Sequence, residues 1–319
     1  MENEFAVKSE SSSWEREAIE KLLLADVRER RAARRWRMFK SLVWMGLFGA
    51  LIWMLASDRL STNVPTGPHT AIVNIKGEIS DGGEASAENV MTAMRGALED
   101  EGSKALVLLI NSPGGSPVQA GIINEEISRL RKLHNKPIYA VVEETCASAA
   151  YYIAAATDRI YVDKASIVGS IGVLMDGFGF VGTMEKLGVE RRLLTAGENK
   201  GFLDPFSPQS EEQRKYAQVM LDRIHKQFIA AVKKGRGERL KETPETFSGL
   251  FWTGEQAVDM GLADNLGSLD SVARDVVKAD KLVDYSNRDN IAERLAKRFG
   301  AAMGEGAAGA ALQSMPRLR

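Results

Sequence analysis

The feature that most constrains the fold is an apolar, strand-like run that leads into a turn of small residues. It occurs twice: Lys104–Ile110 is followed by the turn Asn111–Gly115, and Ile138–Val142 leads to a second turn at Ser148. Continuous apolar strands are typical of a sheet that is covered on both faces. Because the carboxyl ends of parallel strands meet at one edge of the sheet, we expect the two turns to face one another across a cleft.

The other segments continue this alternation. We predict strands at 71–75, 159–162 and 188–194, a glycine-rich extended segment at 167–173, and helices at 87–99, 118–133, 147–157, 209–234, 253–260 and 269–277. Strands that alternate with helices indicate an α/β fold with crossover connections.

Ser148 lies where a buried strand should turn sharply into a helix. At such a turn a hydroxyl can project into a cleft, while the helix N-terminus offers unpaired N–H groups to a developing anion. The alternative is that Ser148 caps a core helix, which is the commoner role of a serine at this position. Taken alone, the stretch favours the cap.

The N-terminal part predicts a membrane anchor. Residues 1–40 are polar and end in a dense group of arginines, and residues 41–57 then run without a charge. A bilayer requires about 17–25 residues, and basic flanks stay cytoplasmic. We therefore predict a single-pass signal anchor at 41–57, a linker at 58–70, and an extracytoplasmic domain. A buried core helix or a cleaved signal peptide is the alternative.

Composition narrows the function classes. The formal net charge of −1 gives no reason to expect nucleic acid as a partner. A single cysteine, Cys146, excludes an intrachain disulfide, and we expect it to be a buried apolar residue. The three histidines form no cluster with cysteines or carboxylates in the sequence, so we predict neither a metal site nor a cofactor.

Five motifs carry a resemblance to a known family. They are N-S-P-G-G (111–115), A-S-A-A-Y-Y-I-A (147–154), V-G-S-I-G-V (168–173), G-E-N-K (197–200) and W-T-G-E-Q-A-V-D-M-G-L-A-D-N-L-G (252–267). In this order they resemble the bacterial signal peptide peptidase A (SppA) family of membrane-anchored serine peptidases, in its short single-domain form. The resemblance implies a ClpP/crotonase-like α/β fold of repeated β-β-α units. The peptidase domain would span 71–285, followed by an amphipathic, then Ala/Gly-rich tail at 286–319.

The resemblance also implies a Ser–Lys dyad. Ser148 matches the family nucleophile, Lys200 the base, and Ser170 the residue that orients the lysine. A serine hydroxyl needs a base to become nucleophilic, and a lysine can serve only when it is neutral, which requires desolvation. In the family the subunits form rings, and short forms place the lysine of one subunit beside the serine of its neighbour.

Four further residues are candidates for binding the substrate. Gly114 and Ala149 are the expected oxyanion-hole donors, with Gly115 as part of the same glycine pair, since glycine allows backbone N–H groups to reach a substrate carbonyl. Gly172 lies in an extended stretch that could pair with a peptide strand. The family commonly has two glycines after its nucleophile, whereas this chain has Ala149 and Ala150. Alanine resists positive φ, so we expect these two residues to bear on the turn geometry.

We therefore expect a serine endopeptidase of the bacterial inner membrane that cleaves short apolar peptides, such as remnant signal peptides. Three alternatives stay open. One is a crotonase-like acyl-CoA enzyme, which would need an acidic general base. A second is a catalytically impaired scaffold in which Ala149 and Ala150 have spoiled the oxyanion hole. A third is a Ser-His-Asp triad that uses His69, His134 or His225, although none of these lies on an obvious catalytic loop.

Overall fold

A computed structural model of the chain describes residues 34–50 and 67–286. The chain divides into two compact units, one formed by Met1–Asn63 with Asp289–Arg319 and the other by Val64–Arg288. In the first unit, residues 34–50 form helix α1, whose apolar side chains, including Trp44 and Phe48, are exposed. The remainder of the predicted anchor (51–57), most of the linker and the tail from 287 onwards lie outside the described residues. Within the described ranges, no helix is long and apolar enough to cross a membrane.

The second unit is built from strands that alternate with helices. The strands are β1 His69–Lys76, β2 Ser103–Ser112, β3 Ile138–Ala147, β4 Arg159–Val162, β5 Ile167–Gly169, β6 Phe251–Thr253, β7 Asn265–Leu266 and β8 Leu282–Asp284. The helices are α2 Ala87–Glu99, α3 Pro117–Leu133, α4 Ala149–Ala154, α5 Val181–Leu187, α6 Glu211–Arg236, α7 Gly254–Asp259 and α8 Leu269–Ser271, which continues as a π-helical turn over Val272–Val277. A 3₁₀ turn, Gly237–Arg239, follows α6.

The strands form one sheet in the order β6-β5-β3-β2-β1-β8; β4 also pairs with β3, and β7 pairs with β4. Every pairing is parallel except that of β5 with β6. The predicted α/β class is therefore confirmed. Strand β3 pairs with β2 and with two further strands, since Tyr139–Val141 pairs with β4 and Thr145–Ala147 pairs with β5. Two pairing segments thus precede helix α4, which is the pattern expected of a β-β-α unit.

Strand β2 shows why the apolar runs in the sequence predicted buried strands. Leu106, Leu108 and Ile110 pack into the main core, whereas Val107 and Leu109 pack into a smaller cluster. Because alternate side chains of a strand point to opposite faces, both faces of β2 are covered. A sheet covered in this way leaves its carboxyl edge as the place where functional groups can reach solvent.

Two predicted extended segments differ from the structure. The strand predicted at 188–194 is wrong: helix α5 ends at Gly188, which has a φ of 67°, and residues 189–195 pair with no strand of the described chain. The segment predicted at 167–173 is a strand only over Ile167–Gly169, because Ser170 turns the backbone with a φ of 51°.

A buried carboxylate joins helices α2 and α3 and gives a prediction for stability. Glu126 is 7% exposed and binds Arg129 at 2.7 Å and Arg95 at 2.7 Å. Its hydrogen bond from Arg129, followed by that from Arg95, lowers the pKa of the Glu126 carboxyl to about 2. We expect Glu126→Gln to lower the free energy of unfolding by about 2 kcal/mol at pH 7.

The pH dependence of this loss follows from the lowered pKa. A carboxyl with a depressed pKa stabilises the fold above its unfolded pKa, and this contribution is lost as the pH falls towards its folded value. The difference between wild type and Glu126→Gln should therefore narrow between pH 5 and pH 3 in urea titrations. The exposed neighbour Glu125 provides the control, because Glu125→Gln should change little. An unfolding difference that stays constant with pH would contradict the assignment.

Candidate active site

Ser148 joins β3 to α4 in a backbone conformation that is rare outside glycine, with φ 54° and ψ −123°. Such a conformation costs about 1–3 kcal/mol and persists only where surrounding contacts hold it. Here the Ser148 N–H donates to the Gly169 carbonyl at 2.9 Å, and the Ser148 carbonyl accepts from the Tyr152 N–H at 3.0 Å. The side chain makes no capping hydrogen bond. The helix-cap interpretation is therefore wrong, and the hydroxyl is left for another purpose.

The two alanines after Ser148 fit the turn without strain. Ala149 and Ala150 lie in helix α4, and neither has a positive φ, because the unusual angle is taken by Ser148 itself. The Ala149 N–H lies in the first turn of the helix and has no acceptor in the described part of the chain. The expectation that these alanines would alter the turn through positive φ is thus not met.

The N-S-P-G-G loop lies directly against this turn. A Cβ added to Gly114 would fall 2.8 Å from Ser148 Cβ and 3.0 Å from the Ala149 nitrogen, so only glycine fits there. The Gly114 N–H donates to Ser112 Oγ at 3.1 Å, whereas the Gly115 N–H has no acceptor among the described residues. Ser112 was not among the predicted site residues. A serine that bonds the N–H two residues later is a known turn pattern, and that pattern could have identified it.

Ser170 lies beside Ser148 because of the strand register. Ala147 pairs with Gly169, so the next residues on the two strands, Ser148 and Ser170, are neighbours at the edge of the sheet. The Ser170 N–H donates to the Leu250 carbonyl at 2.7 Å. Gly172 donates its N–H to the Ser170 carbonyl at 2.9 Å, so this N–H is already engaged within the turn.

Lys200 is not hydrogen-bonded to this cluster. Lys200 is exposed in a loop, and its Nζ hydrogen-bonds to no residue of the described chain, including Ser148 and Ser170. Phe202, two residues later, packs on Tyr216 of helix α6, with ring centroids 5.5 Å apart. Helix α4 contacts α6 twelve residues further along, where Tyr152 packs on Phe228 at 5.0 Å. Twelve residues of helix span about 18 Å, so the lysine loop and the serine helix are anchored far apart on α6.

The histidines do not complete a triad with Ser148. His69 and His134 lie at or before the amino ends of β1 and β3, which is the opposite edge of this parallel sheet from Ser148. His225 lies on α6, and its Nε2 is 3.0 Å from the Ile171 carbonyl oxygen. None of the three hydrogen-bonds to Ser148.

Cys146 is not a rival nucleophile. It is fully buried, and burial raises the pKa of its thiol well above the usual range. A thiol of this kind stays protonated at neutral pH and packs as a small apolar residue, as predicted. Among the described residues, no group of three or more His, Cys, Asp and Glu side chains is placed to hold a metal ion.

The longest of the five motifs, at 252–267, packs against residues that flank the site. The ring of Trp252 packs so closely on Gly169 that an added Cβ would lie 2.7 Å from it. Thr253 and Gln256 form a reciprocal capping box that starts helix α7. Gly254 and Gly261 lie against backbone carbonyls that would be 1.8 Å and 1.7 Å from a Cβ. Of these contacts, that of Trp252 reaches strand β5 directly, while those of Gly254 and Gly261 fix helix α7 against Asp163 and Arg239.

Comparison with known proteins places the chain among peptidases. The sequence profile described as "Peptidase family S49" matches residues 131–283, which contain Ser148, Ser170 and Lys200. The chain is 32% identical over 220 residues to a putative signal peptide peptidase SppA of Enterococcus faecium, an alignment that covers 66% of this chain and 64% of that protein. It is 30% identical over 199 residues to a putative protease of Synechocystis, which covers 62% of this chain and 69% of the relative.

A third relative has a different name. The chain is 42% identical over 208 residues to a protein of Brucella abortus named Na(+)/H(+) antiporter NhaA, and the alignment covers 64% of this chain but only 28% of that protein. The chain thus spans between 28% and 69% of the length of the curated relatives named here. Because so little of the antiporter is matched, its name carries no function to this chain.

Proposed function

Because the chain belongs to peptidase family S49, the family of SppA, we propose that it is a serine peptidase with Ser148 as its nucleophile. The observation that carries the proposal is the conformation of Ser148. This residue holds a rare, positive φ while its hydroxyl caps nothing. The N–H groups of Ala149, which follows it, and of Gly115, in the loop packed against it, have no acceptor among the described residues. Strain of this kind is retained where it serves a function.

The proposed reaction is acyl transfer through an acyl-enzyme. The Ser148 hydroxyl attacks the peptide carbonyl as Lys200 Nζ accepts its proton, and the resulting ammonium then protonates the leaving amine. The Ala149 N–H and an N–H of the Gly114–Gly115 loop donate to the oxyanion, and of the two glycines Gly115 is the one whose N–H has no acceptor among the described residues. Water then attacks the acyl-enzyme, with the neutral lysine again accepting a proton. Ser170 would hydrogen-bond to the lysine and orient it.

We further propose that Lys200 acts on the Ser148 of a neighbouring subunit in a homo-oligomer. Two observations support this. The lysine loop is anchored to α6 about 18 Å from the contact of α4 with the same helix. In addition, the segment between Ser170 and α6 exposes large apolar side chains, such as Leu174 (80%), Phe178 (82%) and Leu194 (96%). Apolar surface of this extent is typical of a face covered by another protein.

The proposed substrates are short apolar peptides, such as remnant signal peptides, bound in an extended conformation. The backbone of residues 173–179 forms no backbone hydrogen bond within the described chain, so it is free to pair with a peptide strand. We also propose that residues 41–57 anchor the protein in the membrane. The N-terminus would lie in the cytoplasm and the peptidase domain on the extracytoplasmic side. The exposed apolar side chains of α1 support it.

A fluorophosphonate probe tests the proposal directly. We expect the full-length protein in detergent to be labelled once, at Ser148, and labelling to be lost in Ser148→Ala but kept in Ser128→Ala, which changes a serine on α3 away from the turn. Peptide mapping identifies the labelled residue. Labelling that persists in Ser148→Ala would show a different nucleophile. A folded wild type that resists the probe would favour the impaired scaffold, and calorimetric binding of coenzyme A would favour the acyl-CoA enzyme.

A further inference from the structure

Helix α6 reaches the turn that bears Ser170 through the side chain of His225. His225 is half-buried in the middle of α6, and its Nε2 lies 3.0 Å from the backbone oxygen of Ile171, 54 residues earlier in the chain. A carbonyl oxygen can only accept a hydrogen bond, so Nε2 must carry the proton. The bond therefore persists in the ε-tautomer of the neutral ring and in the charged ring.

The segment that His225 holds is the turn that presents Ser170. Three hydrogen bonds fix this turn: the Ser170 N–H donates to Leu250, the Gly172 N–H donates to the Ser170 carbonyl, and His225 donates to Ile171. The first two bonds join backbone groups. The third comes from a side chain, that of His225. A serine with a φ of 51° needs such support, because a residue with a Cβ is disfavoured in the left-handed region.

The same helix also carries the lysine loop. Tyr216, nine residues before His225 on α6, packs against Phe202 next to Lys200. Helix α6 therefore fixes both the turn that bears Ser170 and the loop that bears Lys200. With the lysine acting on the neighbouring subunit, one α6 positions the Ser170 turn of one site and the Lys200 loop of the next.

We propose that His225 is a positioning residue, which acts on catalysis by holding the Ser170 turn through the Ile171 carbonyl. This inference rests on the proposed peptidase function, because Ser170 matters only if it orients the catalytic lysine. His225 does not itself touch the reacting atoms. Misplacement of a catalytic group by about 1 Å can cost up to 100-fold in rate, so loss of this bond should have a measurable effect.

The test compares two replacements of His225. His225→Met keeps an apolar, helix-compatible side chain of similar length but removes the donor, whereas His225→Gln keeps an N–H at a comparable reach. We expect His225→Met to lower kcat about tenfold with KM within twofold, and His225→Gln to restore kcat to within about threefold of wild type. If His225→Met fails to fold, His225→Asn, which keeps an amide but is too short, takes its place. His134→Met is the matched control, since the His134 side chain bonds to no described residue, and it should match wild type.

A double-mutant cycle separates positioning from a general loss of stability. If His225 acts through Ser170, then His225→Met should have no further effect on kcat in a Ser170→Ala background. The proposal would be overturned if His225→Met lowered kcat by the same factor in the wild-type and Ser170→Ala backgrounds. It would also be overturned if His225→Met kept the kcat of wild type.

A readout that needs no activity distinguishes this inference from the proposed function. Hydrogen–deuterium exchange of residues 167–175 should rise in His225→Met and stay low in His225→Gln. If the wild type neither cleaves peptides nor reacts with the fluorophosphonate, the proposed function fails, and the exchange result still decides whether His225 holds the turn. If Ser148 is reactive but exchange and kcat are unchanged in His225→Met, only the positioning role fails.

Discussion

Co-expression of the Ser148→Ala and Lys200→Ala variants is expected to restore peptide cleavage that neither variant retains alone. If each site takes its serine from one subunit and its lysine from the next, a Lys200→Ala subunit beside a Ser148→Ala subunit rebuilds one intact pair. Random assembly at equal amounts gives about one quarter of the wild-type sites, the product of two independent halves. A dyad formed within one chain would give no recovery at any ratio.

Each single variant should lose nearly all turnover. Removal of a serine nucleophile or its base typically lowers kcat by about 10³- to 10⁶-fold, and what remains comes from the oxyanion hole and substrate binding. The measurement is cleavage of a fluorogenic apolar peptide by protein purified in detergent, with the assembly size checked by size-exclusion chromatography. Both replacements are at half-exposed or exposed positions, so the folded assembly should persist.

Two substitutions on helix α3 serve as controls for effects of a serine or lysine replacement that are unrelated to the site. Ser128→Ala and Lys132→Ala change the same residue types away from the Ser148 turn, and Lys132 has no ion pair in the described part of the chain. Both should keep wild-type activity. Full activity of Lys200→Ala alone would reject Lys200 as the base, and full activity of Ser148→Ala alone would reject the serine mechanism.

The elements whose signals are local could be predicted from the sequence. Helix α2 matches its predicted bounds, because Ser86 caps its start and Val90, Met94 and Leu98 recur at helical spacing on its buried face. Strand β2 was recognisable from its unbroken apolar run, and the sharp turn at Ser148 from the small residues that surround it. In each case a few neighbouring residues decide the structure.

Features that depend on contacts between distant segments were missed or misjudged. Residues 188–194 look like a strand by composition, yet Gly188 ends helix α5 and no neighbouring strand is available for pairing. From the sequence, His225 was considered only as a possible triad member, because nothing near it in sequence points to Ile171, 54 residues away. The position of Lys200 could not be predicted either, since the contact proposed for it is with the Ser148 of a neighbouring subunit. Local pattern carries no information on such contacts.

The residues proposed for the oxyanion hole could be predicted from the sequence only in part. The glycine pair at 114–115 pointed to a loop that lies against Ser148, but the partners of its N–H groups were not foreseeable, because they depend on Ser112 Oγ and on the approach of Ser148. The concern about Ala149 came from counting the family glycines. The structure answers the part that concerns backbone strain, because the positive φ falls on Ser148, one residue earlier.

Gly114→Ala should inactivate the enzyme although it adds only one methyl group. The new Cβ would lie 2.8 Å from Ser148 Cβ, 2.9 Å from the Ala147 carbonyl oxygen and 3.0 Å from the Ala149 nitrogen, at a backbone φ of 108°. Backbone atoms surround it on two sides, so the loop or the Ser148 turn has to move. Loss of one oxyanion donor costs about 10²- to 10³-fold in kcat, and displacement of the nucleophile adds to this loss. Both kcat and the rate of fluorophosphonate labelling should therefore fall by at least about 100-fold.

Gly121→Ala is the matched control for this substitution. Gly121 lies inside helix α3, has no positive φ, and an added Cβ meets nothing within 4 Å. Alanine is favoured over glycine inside a helix by about 0.5–1 kcal/mol, so this variant should melt slightly higher than wild type and cleave at the same rate. Wild-type kcat in Gly114→Ala would mean that the contact of this loop with Ser148 is not part of the catalytic geometry, and the oxyanion hole would then have to be sought elsewhere.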